Sequence, residues 1–300
     1  MALAHTSQRL AYGLRPLVEE LLSALENGAG DIEGLKPVSG GCIHHVLQID
    51  TAAHRYCLKW AEPHQADMLA REVQNLGLMR ETQTVASPQI YHHGDTEQGA
   101  YFILMQWLEP ELPRRDTWSQ LGRQLAAMHR HTQPHFGLHY DNYIGLLPQH
   151  NQPHADWPSF FIQERLEPQV KWAAEAGRLD RELRSRFRRL YSRLDQLLTN
   201  EPASLLHGDL WSGNILVGPE GRAFLIDPAT YYGHRECDLA FTQLFGRLED
   251  AFYDAYQEEY PLEPGYQERF QIWNLYPLMV HVNLFGSSYL SAVRNLLGRL

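Results

Sequence analysis

Three hundred residues suffice for two lobes and for a full hydrophobic core without disulfide or metal staples. Apolar residues at 44% and charged residues at 21% are ordinary globular usage, and a net charge of −10, from 36 acidic against 26 basic residues, argues against a nucleic-acid groove or an anionic membrane surface. The three cysteines, Cys42, Cys57 and Cys237, show neither CxxC spacing nor a disulfide framework, which fits a reducing cytoplasm. The opening MALAHTSQRL has no apolar signal-peptide core, and no apolar run reaches the roughly 18 residues of a membrane span. The 16 histidines are scattered without metal-binding spacing and are read mainly as surface and hydrogen-bonding residues.

No internal repeat interrupts the chain. Residues 10–26 form an amphipathic helical pattern, with Leu14, Leu17, Val18, Leu21, Leu22 and Leu25 on one side and a C-cap at Asn27-Gly28. Strands are expected over 33–39 and 43–50, flanking a Ser39-Gly40-Gly41 turn. His45, Leu47 and Ile49 alternate inward in the second of them. RYCLKWA at 55–61 is a third strand, 65–80 a helix, and 89–93 and 101–107 two further strands. From about 109 the texture turns helical. Asp116 or Thr117 can cap a helix that carries Trp118, Leu121, Leu125 and Met128 inward. Residues 139–157 are polar, aromatic and proline-bearing, and are expected to form a long loop. Helices follow at 158–176 and 180–199, short strands and turns at 203–232, and helix beyond. This order predicts an α+β, protein-kinase-like two-lobe fold: a five-stranded antiparallel sheet lobe with one inserted helix over 1–107, and a larger, mainly helical lobe over 108–300.

The segment HGDLWSGN, residues 207–214, fits H-x-D-x-x-x-x-N, the spacing of a kinase catalytic loop. In such a loop Asp209 accepts or orients the proton of an attacking hydroxyl, and Asn214 reaches a magnesium ion on the phosphates of ATP. Gly213 lets the tight loop aim both side chains into one cleft. Ile215-Leu216-Val217 re-enters a strand, GPEG at 218–221 turns it, and AFLID ends on Asp227, where kinases keep their second metal ligand. Each residue alone is also ordinary turn chemistry; the three in order, on strand–turn–strand texture, favour the catalytic reading.

The upstream partners occur in the matching order. Lys59 sits inside an apolar strand, where an unpaired ammonium is costly, and Glu72 on the next helix is its expected partner, with Glu62 and Glu81 as alternatives. Such a pair holds the lysine against the α- and β-phosphates; the other reading is a surface lysine whose stem covers the sheet. Gly40 and Gly41 would let backbone N–H groups approach phosphate, or simply make a hairpin turn. Gln106, Trp107 and Leu108, leaving the fifth strand, are the candidate adenine-binding hinge or a plain linker. Cys42, beside the glycines, is a candidate redox thiol or a small apolar residue under the sheet. Cys57 is expected to be inert, and Cys237, at a helix start, is a weaker redox candidate.

At these residues the sequence resembles the fructosamine kinase (ketosamine-3-kinase) family, relatives of aminoglycoside phosphotransferases. The resemblance runs from GGCIHH at 40–45 to LYPLMVHVNLFGSSYL at 275–290. Its most specific parts are HGDLWSGN with Trp211 and DPATYYGHRECDLAF at 227–241. FGLHYDNYIGLLPQHN at 136–151, with Trp157 and Phe160-Phe161, looks like the family's substrate-side insert. Departures are Phe241 where the family often has methionine, and His44-His45 in the glycine loop. The resemblance implies ATP- and Mg2+-dependent phosphorylation of a sugar hydroxyl on a small-molecule ketosamine or glycated amine, at O3. The phosphate then leaves readily and the amine is regenerated. Carried over, Asp209 is the base, Asn214 and Asp227 the magnesium ligands, and Lys59 the ATP lysine. Trp211 offers a ring face to the sugar, and Tyr231, Tyr232, His234, Arg235 and Glu236 shape the substrate side; the alternatives are packing of the aromatics between the loop and the helical lobe, and a structural polar network of His234, Arg235 and Asp238. The competing readings are a kinase for another small alcohol (aminoglycoside, choline, homoserine or methylthioribose) and a catalytically dead kinase fold that only binds. Loss of Asp209, Asn214, Asp227 or Lys59 would favour the second, and all four are present. A eukaryotic-type protein kinase is disfavoured, because Asp227 is followed by Pro228 and no Ala-Pro-Glu closes an activation loop.

Overall fold

The computed structural model describes residues 14–28, 30–38 and 44–300; the expected turn at Ser39, Gly40 and Gly41, and Cys42 with it, lie outside the described residues. The chain divides into two compact units, one of residues up to Gly77 with Ser87–Glu111, the other of Leu78–Ala86 with Leu112–Leu300. Among the described residues no helix is long and apolar enough to cross a membrane.

The first unit opens with α1 (Leu14–Leu25), whose Leu14, Val18 and Leu22, four residues apart, form the buried stripe. The helix stops at Asn27 and Gly28, both at positive φ, as a left-handed C-terminal cap requires. Strands β1 (Gly34–Pro37), β2 (His45–Asp50) and β3 (Arg55–Ala61) follow, then α2 (Ala66–Glu81), β4 (Ile90–Asp95) and β5 (Tyr101–Gln106). The sheet is antiparallel in the order β1-β2-β3-β5-β4. Strand alternation sorts its side chains onto two faces. Leu47, Ile49, Tyr56, Leu58, Trp60, Phe102 and Leu104 pack on α1. Cys57, Ala61, Tyr101, Ile103 and Met105 face the other way, with Leu69 and Val73 of α2. The expected inward alternation of β2 holds for Leu47 and Ile49; His45 is exposed and stacks on Trp60, centroids 4.8 Å apart.

The second unit begins its helices with α3 (Thr117–His129), burying Leu121, Leu125 and Met128. The Asp116 side chain makes no cap hydrogen bond there, and the Thr117 hydroxyl instead donates to Gly221 O at 2.5 Å. Strand β6 (Thr132–Gln133) comes next. The expected long loop then folds into a short hairpin, β7 (Asn142–Ile144) with β8 (Leu147–Gln149). Helix α4 (Trp157–Phe160), capped by the Asp156 carboxylate on Ser159 N–H, runs through a π-helical turn at Phe161–Leu166 into α5 (Glu167–Glu175). After α6 (Arg181–Tyr191) and α7 (Leu194–Leu197) the chain enters β9 (Ala203–Leu206), the hairpin β10 (Ile215–Val217) and β11 (Ala223–Leu225), and β12 (Tyr231–Gly233). β9 lies between β12 and β6. Helices α8 (Glu236–Phe241), α9 (Asp250–Glu259), α10 (Tyr266–Trp273), α11 (Leu275–Phe285) and α12 (Leu290–Leu297) complete the unit. α11 is apolar along most of its length and lies in the core, with Leu275, Leu278, Met279 and Val282 fully covered.

Candidate active site

Strand β9 is buried at every position and delivers the chain to His207. Gly208 follows at φ +82°, and a Cβ there would lie 2.0 Å from Ala229 O, so only glycine fits this turn. The turn is anchored by a buried carboxylate. Asp238 of α8 accepts His207 N–H at 2.7 Å and Gly208 N–H at 2.9 Å, and its Oδ2 lies 3.2 Å from His129 Nε2. His129 Nδ1 is 2.8 Å from the Tyr256 hydroxyl. The His207 ring adds a second tie: Nε2 donates to Ile226 O at 2.9 Å while Nδ1 accepts Asp209 N–H at 3.2 Å. Burial lowers the pKa of this imidazole, although Asp238 and Asp227 oppose the shift, so the ring bonds as a neutral group with one donor and one acceptor nitrogen.

The backbone held in this way presents Asp209. Asn214 Nδ2 donates to Asp209 Oδ2 at 2.9 Å and to Asp209 O at 2.8 Å. This commits the amide nitrogen inward and leaves Oδ1 of Asn214 as the atom able to meet a cation. Ile226 N–H donates to Asn214 O at 3.1 Å, closing the base of the β10–β11 hairpin and setting Asp227 beside the loop. Asp227 is exposed and lies at φ +51°, a left-handed conformation uncommon outside glycine and typical of functional turns. The Asp209 carboxyl is pushed up to about 8, first by burial and further by the charges of Asp227 and Asp238, against the lowering effect of the Asn214 hydrogen bond.

Lys59 and Glu72 belong to the first unit. β3 alternation puts Lys59 on the α2 side of the sheet, and its ammonium lies 2.7 Å from Glu72 Oε2, both side chains nearly covered at 11% and 12% exposure. Of the three carboxylates considered from sequence, Glu72 is the partner; Glu62 lies instead near His45 and His64. At the end of β5, Gln106 N–H already donates to Gln89 O at 2.7 Å. The backbone groups of Trp107 and Leu108 follow, with Leu108 buried and the Trp107 indole donating to Glu109.

The family profile described as fructosamine kinase matches residues 15–300. The chain belongs to the fructosamine kinase family. It is 40% identical to a protein of Enterococcus faecium named "probable ketoamine kinase", over 87% of this chain and 93% of the relative, and 38% identical to a Lactiplantibacillus plantarum protein of the same name, over 89% and 94%. A crystal structure from Thermobifida fusca, named for fructosamine-3-kinase, shares the fold with a TM-score of 0.83 at 31% identity, over 96% of this chain and 98% of that one. The choline kinase of Streptococcus pneumoniae, at 15% identity with a TM-score of 0.63 and coverage of 96% and 99%, shares the fold alone. The fold is thus the α+β protein-kinase-like one, and the protein is an ATP-dependent phosphotransferase with an alcohol as acceptor.

In this fructosamine kinase family member the residues expected on the substrate side divide sharply. Trp211 is exposed on the tip of the catalytic loop. A Cβ on Gly213 would sit 2.2–2.6 Å from three atoms of its indole, so the ring rests on the bare backbone of Gly213. Tyr232 is half-buried. The others are buried. Tyr231 is buried under the Arg165 guanidinium, 3.9 Å from the ring centre. Arg235 is buried against Glu201 and bonds the carbonyls of Tyr260 and Pro261. Glu236 is buried between Arg269 and the Trp273 indole N–H. His234, fully buried against Trp273 and Trp157, has its pKa lowered to about 3 by burial and by Arg269 and Arg235. His234, Arg235 and Asp238 are all buried in polar contacts, as the alternative reading had it, Glu236 joins them, and Tyr231 packs as an aromatic. Ligand atoms of Glu201, His234 and Glu236 come within 4.8 Å of one another, yet both carboxylates are neutralised by arginines, so the cluster is an ion-pair network and not a metal centre. Burial and the charges of Asp238 and Glu236 raise the Cys237 thiol well above its ordinary value, which disfavours the thiolate that a redox role needs.

Sequence reasoning missed the polar cluster beneath the loop. The buried amides of Asn142 and Gln149 donate to Thr230 O at 2.8 Å and Ala229 O at 3.0 Å, gripping the backbone just after Asp227. Arg165, fully buried, bonds Asn151 Oδ1 at 2.6 Å, and Asn151 Nδ2 donates to Asn142 Oδ1 at 3.0 Å. Tyr276 completes the set with a 2.8 Å bond to Gln149 Oε1. The segment read as a substrate-side insert therefore steadies the turn that carries Asp227 from below.

Proposed function

We propose that the protein phosphorylates O3 of a ketosamine, such as a fructosamine or ribulosamine, as the step that initiates removal of the sugar from a glycated amine. The observation that carries this reading is the Asp209 carboxylate, fixed through Oδ2 by Asn214 and flanked by Asp227, in a chain of this family. Residues 1–107 serve as the nucleotide-binding lobe and 108–300 as the catalytic and substrate lobe. Lys59, aligned by Glu72, takes the α- and β-phosphates, and backbone groups of Gln106, Trp107 and Leu108 take the adenine. Gly40 and Gly41 are assigned to the phosphate loop by their place in the sequence.

The oxygen atoms offered by Asn214 and Asp227 are hard ligands that suit Mg2+, and the crowding of Asp227 with Asp209 is a negative field that a divalent cation relieves. Bound there, magnesium would offset the charge on the β- and γ-phosphates. The protein's own part is positional and basic. Asp209 Oδ1, opposite the oxygen held by Asn214, receives the proton of the sugar hydroxyl as that oxygen bonds to the γ-phosphorus and the bond to the β-phosphate oxygen breaks, releasing ADP. The charge of Asp227 is one cause of the raised pKa of Asp209, and a divalent cation offsetting it would return Asp209 toward the ionised form that a base requires. Trp211, two residues after Asp209 on the same loop, exposes an indole suited to the C–H face of a sugar. Use of ATP fits the cytoplasmic setting expected from the cysteines.

ADP release measured against a panel of ketosamines, with aminoglycosides, choline and homoserine as alternative acceptors, tests this reading. The expected result is turnover with ketosamines and an O3 phosphate in the NMR spectrum of the product. Turnover confined to another alcohol class would overturn it.

A further inference from the structure

Beside the catalytic loop the second unit carries a contiguous group of aromatic rings that the proposed chemistry leaves unused. Phe285 is 58% exposed and Phe245 36%. The His281 ring lies between them, with centroids 4.5 Å from Phe245 and 5.3 Å from Phe285. Tyr289 closes the group at 5.0 Å from His281 and 6.3 Å from each phenylalanine. Single exposed apolar residues are normal, but a packed cluster drawn from the segment after α8, from α11 and from the turn after α11 is not.

Two observations join this shelf to the reacting centre. A Cβ built on Gly246 would lie 3.7 Å from Ser212 Oγ, so the turn bearing Phe245 touches the catalytic loop next to Trp211. Phe241, one helical turn before Phe245 and 5.9 Å from it ring to ring, lines the same small cavity as Gly208 and Tyr276. Tyr276 in turn lies close enough to Asp209 for that carboxylate to raise its pKa, though burial is the larger cause. The turn bearing Phe245 thus borders the catalytic loop, and the buried Phe241 ring links it to the cavity behind Gly208.

We propose that Phe245, His281, Phe285 and Tyr289 form a subsite for the substituent carried on the acceptor's amine, favouring aromatic or long apolar substituents over small ones. The proposal rests on the ketosamine reading. In such an acceptor the amine is three bonds from the carbon bearing the phosphorylated oxygen. With that oxygen at Asp209, the amine's substituent must leave along the rim of the loop, and the shelf borders the rim. Aromatic faces suit both a hydrocarbon substituent and the secondary ammonium that bears it. His281, bonded through Nδ1 to Pro277 O at 2.8 Å, is kept neutral because burial lowers its pKa, so it does not repel a cation.

The test compares two glucose-derived ketosamines that differ only in the amine, methylamine and benzylamine, in wild type, Phe245→Ala and Phe285→Ala. Both positions are exposed, so folding is retained, which unchanged melting curves verify. Wild type is expected to show kcat/KM about 3- to 10-fold higher for the benzyl acceptor, through KM, and each variant to lose most of that preference while the methyl acceptor stays within about 2-fold. Equal rates for both acceptors in wild type, or equal losses on both in the variants, overturn the subsite and leave the ketosamine reading standing. No turnover of either acceptor overturns that reading and the subsite with it. A change of oligomeric state in the variants at an unaltered benzyl-to-methyl ratio makes the shelf a contact between copies of the chain and overturns the proposal.

Discussion

Replacing Asp238 with asparagine tests whether the catalytic loop is held from behind. The carboxylate is 1% exposed and faces three groups: Gly208 N–H on Oδ1, His207 N–H on Oδ2, and His129 Nε2 near Oδ2. An asparagine matches its shape but replaces one acceptor oxygen with a donor NH2, so in either orientation at least one backbone N–H meets another donor. A hydrogen bond to a charged group contributes about 1.5–3 kcal/mol, and a buried donor left unpaired costs about 1–3 kcal/mol, so Asp238→Asn should lose about 2–4 kcal/mol of stability after partial relaxation. The kinetic effect should exceed what stability explains. His207 and Gly208 lead directly into Asp209, and a displacement of about 1 Å in a catalytic group lowers rates roughly 100-fold. The assay is kcat well below the melting transition, with urea unfolding for stability and calorimetry for Mg-ATP. A fall of about 100-fold in kcat with nucleotide affinity kept within about 3-fold is expected. A folded variant with wild-type kcat would refute the anchoring role.

Gly213→Ala places a methyl group inside the Trp211 ring and so evicts the indole without removing it; acceptor KM should rise about 10-fold, on the scale of one aromatic contact, and Trp211→Ala should add nothing in the double variant. Asp227→Ala should abolish magnesium-dependent ATP binding, because no neutral side chain replaces a carboxylate ligand; calorimetry showing unchanged Mg-ATP affinity would remove Asp227 from the metal site. His234 is held neutral in the fold with a pKa near 3, below its unfolded value, so the stability it contributes is complete above about pH 6.5 and drains away as pH falls toward 3. Between pH 7 and pH 5 the loss from this group should be about 2 kcal/mol by urea unfolding, and His234→Gln should flatten that slope, whereas a difference from wild type that is constant with pH would contradict the assignment.

What was legible in the sequence follows from how locally each feature is determined. Lys59 announced itself because a charge inside an apolar strand needs a partner, and alternation on β3 sends it toward α2, where Glu72 waits one helix face away. The loop from His207 to Asn214 and the hairpin to Asp227 were readable because turn chemistry and strand texture lie within about twenty residues of each other. The roles given to His234, Arg235 and Glu236 depended on partners that no spacing reveals: Glu201 lies 34 residues before Arg235, and Arg269 lies 33 after Glu236. The same blindness hid Asn142, Gln149 and Asn151, which look like ordinary loop amides until the hairpin brings them under residues 229 and 230. Arg165 passed as a routine helix residue, although the fold buries its charge against the rings of Phe160 and Tyr231 with neutral oxygens as acceptors. The capping of α3 was read less well, since Thr117 bonds a carbonyl 104 residues away in place of its own helix.

The central claim, that Asp209 transfers a proton from a ketosamine hydroxyl, is tested most directly by ketosamine-dependent ADP release in wild type and in Asp209→Asn, with ATP affinity measured on the same samples. The asparagine keeps the shape and the Asn214 contact but cannot accept the proton, an interaction gained mainly in the transition state. The account predicts a kcat lowered by roughly 100-fold or more with nucleotide affinity nearly unchanged. Near wild-type turnover in Asp209→Asn would contradict it.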